Sequence, residues 1–147
     1  VEPDYRQIYA REAERYDALV AAEDWQGRLL PAIADIVAPA GAAIVEFGAG
    51  TGRLTRQLAP LARSIRAFDL SPHMLQVARR HLSRLPQTNW SLTVADNRAL
   101  PLPAGCADIA VAGWSFGHST VWSGARWQEE VSPAVDELLR MLRPGAT

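Results

Sequence analysis

The chain has a single cysteine, Cys106, in 147 residues. That excludes an internal disulfide, and no Cys/His cluster has metal-ligand spacing, so no metal is expected. Cys106 has no His or basic residue beside it in sequence, which favours a packed small side chain over a nucleophile. Basic surplus is also missing: 15 Lys and Arg stand against 16 Asp and Glu, for a formal charge of −1. With no excess cation to neutralise phosphates, neither nucleic acid nor an anionic membrane is an expected partner. Arg79, Arg80 and Arg84 gather, but at helical spacing, which reads as a solvated face. No apolar run approaches the ~18 residues of a membrane span, and no charged segment with an apolar core opens the chain. A cytoplasmic protein is the expectation. Repeats, low-complexity tracts and linkers are absent as well. With 48% apolar and 21% charged residues, the chain reads as one globular domain, 1–147, large enough for a core.

What is present is organised around Ala43 to Thr55. Ala43-Ile44-Val45-Glu46-Phe47 is apolar except for Glu46, as in a strand covered on both faces. Gly48, Gly50 and Gly52 follow at alternate positions, where a side chain would block positive φ or the close approach of a ligand. A helix opening straight after the turn points unpaired N–H groups back into it. This pattern marks a nucleotide-cofactor site in an α/β sheet, with a bare strand-to-helix turn as the alternative. The dinucleotide fingerprint G-x-G-x-x-G does not fit, because Gly52 comes one residue early and Arg53 takes the last glycine's place. No P-loop lysine follows, which excludes the common nucleoside-triphosphate motif.

Glu46-Phe47-Gly48-Ala49-Gly50-Thr51-Gly52 resembles the first motif, [DE]-x-G-x-G-x-G, of class I S-adenosylmethionine-dependent methyltransferases. Further along, Leu100 to Ala112 resembles that family's "LPFPDGSFDLVV" segment, and Leu138 to Ala146, which reads LLRMLRPGA, resembles the turn that feeds the family's fifth strand. The resemblance covers about Tyr5 to Thr147. It implies an α/β, Rossmann-like doubly wound parallel sheet with helices on both faces. Strand order in this chain would be 3-2-1-4, with an N-terminal helical cap over 1–40 and the core over 41–147. The family's sheet has seven strands, of which the resemblance would place the first four in this sequence, with strands 5–7 expected to be absent from it. Strand 4, about Asp108 to Gly113, would then have an open apolar edge without Lys or Pro, inviting self-association.

Periodicity places the elements. Asp4 to Val20 reads as a helix with Tyr5, Tyr9 and Tyr16 on one face, either docking the cap on the core or lying over the cofactor. A second helix is expected over Asp24 to Val37, with Leu29, Leu30, Ile33, Ile36 and Val37 inward. Leu54, Leu58 and Leu61 form a stripe after the glycine turn. Ile65 to Phe68 is the second strand, ending in Asp69, whose carboxylate at a strand end can accept from both ribose hydroxyls. Ser71 before Pro72 is the better helix cap there. The next helix buries Met74, Leu75, Ala78, Leu82 and Leu85. Trp90, Leu92 and Val94 alternate as a third strand that leads to Asp96-Asn97. A last helix, about Arg126 to Leu142, turns Val131, Val135, Leu138, Leu139 and Leu142 inward, with Pro133 marking a kink or the true start of its regular part.

By resemblance, Glu46, Gly48, Ala49, Gly50 and Gly52 would hold the methionine end of the cofactor. Asp69 with Leu70 would meet the ribose, and Asp96 with Asn97 the adenine, although an Asx-turn is the local alternative for that pair. Trp114 and Phe116 follow the fourth strand, where a ring face would attract a sulfonium. His118 is the one candidate general base in that loop, against a structural or solvent-facing role. The function expected is transfer of a methyl group from S-adenosylmethionine to a small-molecule acceptor. The alternatives are a non-catalytic S-adenosylmethionine-binding scaffold completed by a partner chain, and an NAD-dependent dehydrogenase. The G-x-G-x-G spacing and Asp96-Asn97 argue against the last.

Overall fold

The computed structural model describes residues 11–117 and 123–147. Helices α1 (Ala13–Glu23) and α2 (Leu29–Ile36) precede strand β1 (Ala43–Phe47). Helix α3 (Arg53–Leu58), strand β2 (Ser64–Asp69), helix α4 (Pro72–Leu82) and strand β3 (Trp90–Val94) follow. Strand β4 (Ile109–Ala112), a 3-10 turn (Gly124–Arg126) and helix α5 (Trp127–Met141) complete the order. All pairings are parallel, and the sheet order is β3-β2-β1-β4, as the resemblance implied. The register brings the strand ends level: Phe47 pairs with Phe68 and with Ala112, and Asp69 pairs with Val94. The residues just beyond these ends therefore share one rim, the side on which open α/β sheets bind ligands.

All five residues of β1 are buried, because it is paired on both sides and covered on both faces. Ile44 joins Ile65, Ala67, Ile109, Leu54, Leu58 and Leu75 on the face that α2, α3 and α4 cover. Val45 and Phe47 join Phe68, Leu100, Ala107 and Met141 on the opposite face, under α5. A third cluster, Ala13, Met74 and Val77 with Tyr16 against it, docks α1 on α4. Ion pairs reinforce this docking: Asp17 meets His81 at 2.6 Å, and Glu14 meets Arg80 at 2.5 Å. Ser71 caps α4 by accepting from the Met74 N–H at 3.2 Å, with Pro72 in the first turn, as the sequence predicts.

Several boundaries differ from expectation. Helix α2 starts at Leu29 rather than Asp24, because the Asp24 carboxylate accepts from the Arg28 and Leu29 N–H groups and ends the preceding turn. Ile36, expected inward, is 78% exposed. Helix α3 ends at Leu58, so Leu61 falls outside the expected stripe and is exposed. In α5 the buried positions are Ala134, Glu137 and Met141, while Val135 and Leu139 are exposed. The helix is rotated from its apolar stripe because buried Glu137 accepts from the Leu100 N–H at 2.6 Å and pairs with Arg140 at 2.7 Å. Pro133 lies inside this helix. The expected open edge of β4 is partly covered as well. Ala110 N–H donates to Thr147 O at 3.0 Å and Arg143 N–H to Ala107 O at 3.0 Å, laying residues 143–147 along that edge. Tyr5, Tyr9 and Trp122 lie outside the described residues.

At the foot of the sheet Asp108 accepts from the Ala43 N–H at 2.8 Å and from Arg63, and it pairs with Arg143. These bonds hold its carboxyl below the usual range, the Ala43 N–H foremost. Packing predicts a sharp contrast in stability. Phe47→Ala empties a site with no exposure and is expected to cost about 3–5 kcal/mol in urea unfolding. Ile36→Ala, on the surface, should stay within roughly 0.5 kcal/mol of the parent.

Candidate cofactor cleft

The rim beyond the strand ends opens into a cleft of about 730 Å³. Gly48, Gly50, Asp69, Leu70, Asp96 and Asn97 all line it, although they come from three separate parts of the chain. Each follows or ends a strand, so the parallel register sets them side by side. Tyr16 of α1 and Met74 of α4 add walls, and Gly113, Ser115 and Phe116 after β4 contribute another side. Val131 and Ala134 of α5 line the far side.

The glycine turn takes the shape its composition allows. Gly48, Gly50 and Gly52 have φ of 71°, 55° and 82°, all left-handed. A β-carbon at Gly48 would lie 2.2 Å from Ser115 Cβ, so only glycine lets the β4 loop close on the end of β1. At Gly50 a β-carbon would meet nothing nearer than 3.8 Å, and its restriction comes from φ alone. Gly52, expected at the methionine end, does not line the cleft. Its missing side chain lets the start of α3 approach α4, where a β-carbon would meet Ala78 Cβ at 3.1 Å.

Asp69 braces the turn from below. One carboxylate oxygen accepts from the Gly50 N–H at 2.8 Å and the other from the Ser71 N–H at 2.8 Å. The same residue lines the cleft. Leu70 is 67% exposed and presents an apolar surface at the cleft wall. Asp96 is placed in the cleft wall but its acceptors are taken. Arg98 reaches both oxygens through its backbone N–H and guanidinium, at 2.7–3.1 Å, and holds the carboxyl below its ordinary range. The same Arg98 also donates to Glu130 at 2.9 Å. Asn97 Oδ1 and Ser115 Oγ are buried oxygens without a hydrogen-bond partner among the described residues. Unpaired buried oxygens in a cleft wall are open positions for a ligand's donors.

Glu46, Ala49 and Trp114 do not line the main cleft. They surround a side cavity of about 30 Å³ behind the glycine turn, together with Thr51 and Arg53. Ala49 packs into the core and donates its N–H to Phe68 O at 2.8 Å. Trp114 was expected at the sulfonium. Its ring instead receives the Arg53 guanidinium at 4.0 Å and is 55% exposed. Arg53 is itself held by Glu23 at 2.7 Å, so this stack ties the β4 loop to α1. Trp114 adopts a left-handed φ of 62°, the single non-glycine case among the described residues, a strained conformation of the kind found beside ligand sites. His118 lies outside the described residues. Groups of three or more His, Cys, Asp or Glu able to hold a metal ion are absent among the described residues. No described helix is long and apolar enough to cross a membrane.

The sequence profile described as "Methyltransferase domain" matches residues 44–145, which spans the sheet, the glycine turn and α5. The chain belongs to this family. The domain is 36% identical over 110 residues to a demethylmenaquinone methyltransferase of Clavibacter sepedonicus, covering 74% of this chain and 40% of that protein. It is 31% identical over 133 residues to a malonyl-[acyl-carrier protein] O-methyltransferase of Methylococcus capsulatus, covering 88% of this chain and 44% of that protein. The chain thus spans less than half the length of these relatives. In fold, it superposes on the crystal structure of an S-adenosyl-L-methionine-dependent methyltransferase homologue from Methanococcus maripaludis with a TM-score of 0.76. That superposition has 22% identity and covers 92% of this chain and 60% of the other.

Sequence reasoning missed Arg98, Ser115 and the α5 wall. The spacing of Asp96 and Arg98, two residues apart in a turn, was a signal for their pairing. Nothing in the sequence signalled Glu130 or Ala134, and Val131 was expected only as an inward position of the last helix; all three reach the cleft through the docking of α5.

Glu46 generates a pH prediction. Its carboxyl is 2% exposed and accepts from Thr55 Oγ1 at 2.6 Å. Burial pushes it up to about 7 from 4.5, against the Thr55 hydrogen bond and with a smaller push from Asp69. Because the folded value is the higher one, the unfolded chain releases this proton first. Between pH 4.5 and about 7 the folded state binds more protons, so stability falls as pH rises across that window. The expected loss is about 3 kcal/mol. Glu46→Gln keeps an acceptor for Thr55 and should flatten the profile, as measured by urea unfolding at a series of pH values.

Proposed function

We propose that the domain binds S-adenosylmethionine in this cleft and transfers its methyl group to a small-molecule acceptor. The observation that carries the reading is the convergence of the glycine turn, Asp69 and Asn97 on one cleft, in a chain of the methyltransferase family. The cleft has the size of small-molecule and cofactor pockets in general. Fit to the cofactor rests on three features of the wall. Gly48 and Gly50 bring backbone to the wall, Asp69 brings carboxylate oxygens, and Asn97 and Ser115 hold oxygens without a hydrogen-bond partner among the described residues.

When bound, S-adenosylmethionine supplies an activated methyl group on a sulfonium. The residues of this chain then hold, orient and exclude water. Asp69 would accept from the ribose hydroxyls while keeping the Gly50 N–H fixed. Leu70 and Met74 would cover apolar parts of the nucleoside, and Asn97 would meet the adenine edge. Asp96 would reach an adenine amino group only by yielding part of its contact with Arg98. Tyr16 and Phe116 would close the cleft toward solvent from opposite sides. The carboxylates that line the cleft suit a ligand carrying a sulfonium and oppose the two phosphates of NAD.

Titration calorimetry tests this reading. S-adenosylhomocysteine is expected to bind and NAD not to bind; equal or tighter binding of NAD would sink it. Asp69→Ala should weaken S-adenosylhomocysteine by roughly 1.5–3 kcal/mol, the range for a hydrogen bond to a charged group. Unfolding of the same variant, followed in parallel, reads how far the loss of the Gly50 brace destabilises the turn.

A further inference from the structure

The part of the cleft wall that the cofactor assignment leaves over is built by α5 and the β4 loop. Val131, Ala134 and Phe116 give it an apolar lining, and Glu130 adds a carboxylate. With Asp69 and Asp96, three carboxylates line the cleft against one guanidinium, that of Arg98. Arg98 is committed: it grips both oxygens of Asp96 and donates to Glu130. His73, also in the wall, lies 3.7 Å from Glu14, beyond hydrogen-bond reach, and its Nε2 has no hydrogen-bond partner among the described residues. Among the described residues, the one guanidinium in the wall is already engaged by two carboxylates. An incoming anion would have to pull Arg98 from two acids at once or sit among carboxylates in a partly desolvated cleft. Either course is unfavourable, and a cofactor of net charge about +1 would offset only part of the excess.

We propose that this cleft selects an uncharged acceptor with an apolar body and rejects acceptors that carry a carboxylate or phosphate. The inference rests on the cofactor reading above and adds the chemical class of its acceptor. The apolar body packs on Val131, Ala134 and Phe116, and Glu130 sets the charge preference from the rim. Selection of this kind works by repulsion as much as by attraction, since the apolar wall alone would take either ligand.

The test uses a matched pair of rings, 2-naphthol and 2-naphthoate, titrated at neutral pH and low salt into the protein saturated with S-adenosylhomocysteine. The expected result is at least about tenfold tighter binding of 2-naphthol. Glu130→Gln should narrow that gap by roughly threefold or more, and added salt should narrow it further. If S-adenosylhomocysteine does not bind, the cofactor reading falls and this inference with it. If it binds but 2-naphthoate is equal or tighter, or 2-naphthol does not bind, this inference alone is overturned. A gap that Glu130→Gln leaves unchanged removes the role assigned to the α5 wall and overturns it too.

Discussion

At Gly48 the backbone at the end of β1 passes so close to Ser115 that the two β-carbons, if both existed, would be 2.2 Å apart. Asn97 Nδ2 stands 3.5 Å from the same point. The segments that follow β3 and β4 reach the end of β1 there because one position carries no side chain. A residue with a β-carbon would push the β4 loop outward and also face an unfavourable left-handed φ of 71°. Cleft, loop and turn therefore depend on one missing atom at the end of the most buried strand.

The same turn is stabilised by polar groups that do two jobs. Asp69 fixes the Gly50 and Ser71 N–H groups and still faces the cleft. Glu46, behind the turn, is buried against Thr55 and has its carboxyl raised to about 7 by that burial. Placing a carboxyl there costs stability at high pH. Arg98 works in the opposite direction. It satisfies Asp96 and Glu130 together and joins the strand-end wall to α5. The wall is thereby held by charge pairing across chain segments 32 residues apart.

Much of the fold was legible from short-range patterns. The run Ala43–Phe47 announced a doubly covered strand, Ser71-Pro72 a helix start, and the three glycines a turn with positive φ. Each depends on local sterics and on burial period, which the sequence carries directly. Strand order followed from the family resemblance. Helix faces were less legible. The apolar stripe of α5 pointed to Val135 and Leu139, but the bond from the Leu100 N–H to Glu137 rotated the helix, and hydrogen bonds between distant segments leave no trace in periodicity.

The candidate site divides in the same way. The sequence by itself determined which residue types stand at each strand end: glycines after β1, an acid at the end of β2, an acid and an amide after β3. These follow from chain order and strand length, both local properties. Only the tertiary structure decided what each one touches. Gly52 became a packing point against Ala78, Trp114 turned onto Arg53, and Glu46 faced a side cavity rather than the cleft. Asp96 was taken up by Arg98, and Ser115, Glu130 and Val131 joined the wall. The physical reason is that a side chain's partner is set by which elements pack within a few ångströms, and that distance is fixed by the whole sheet and its helices.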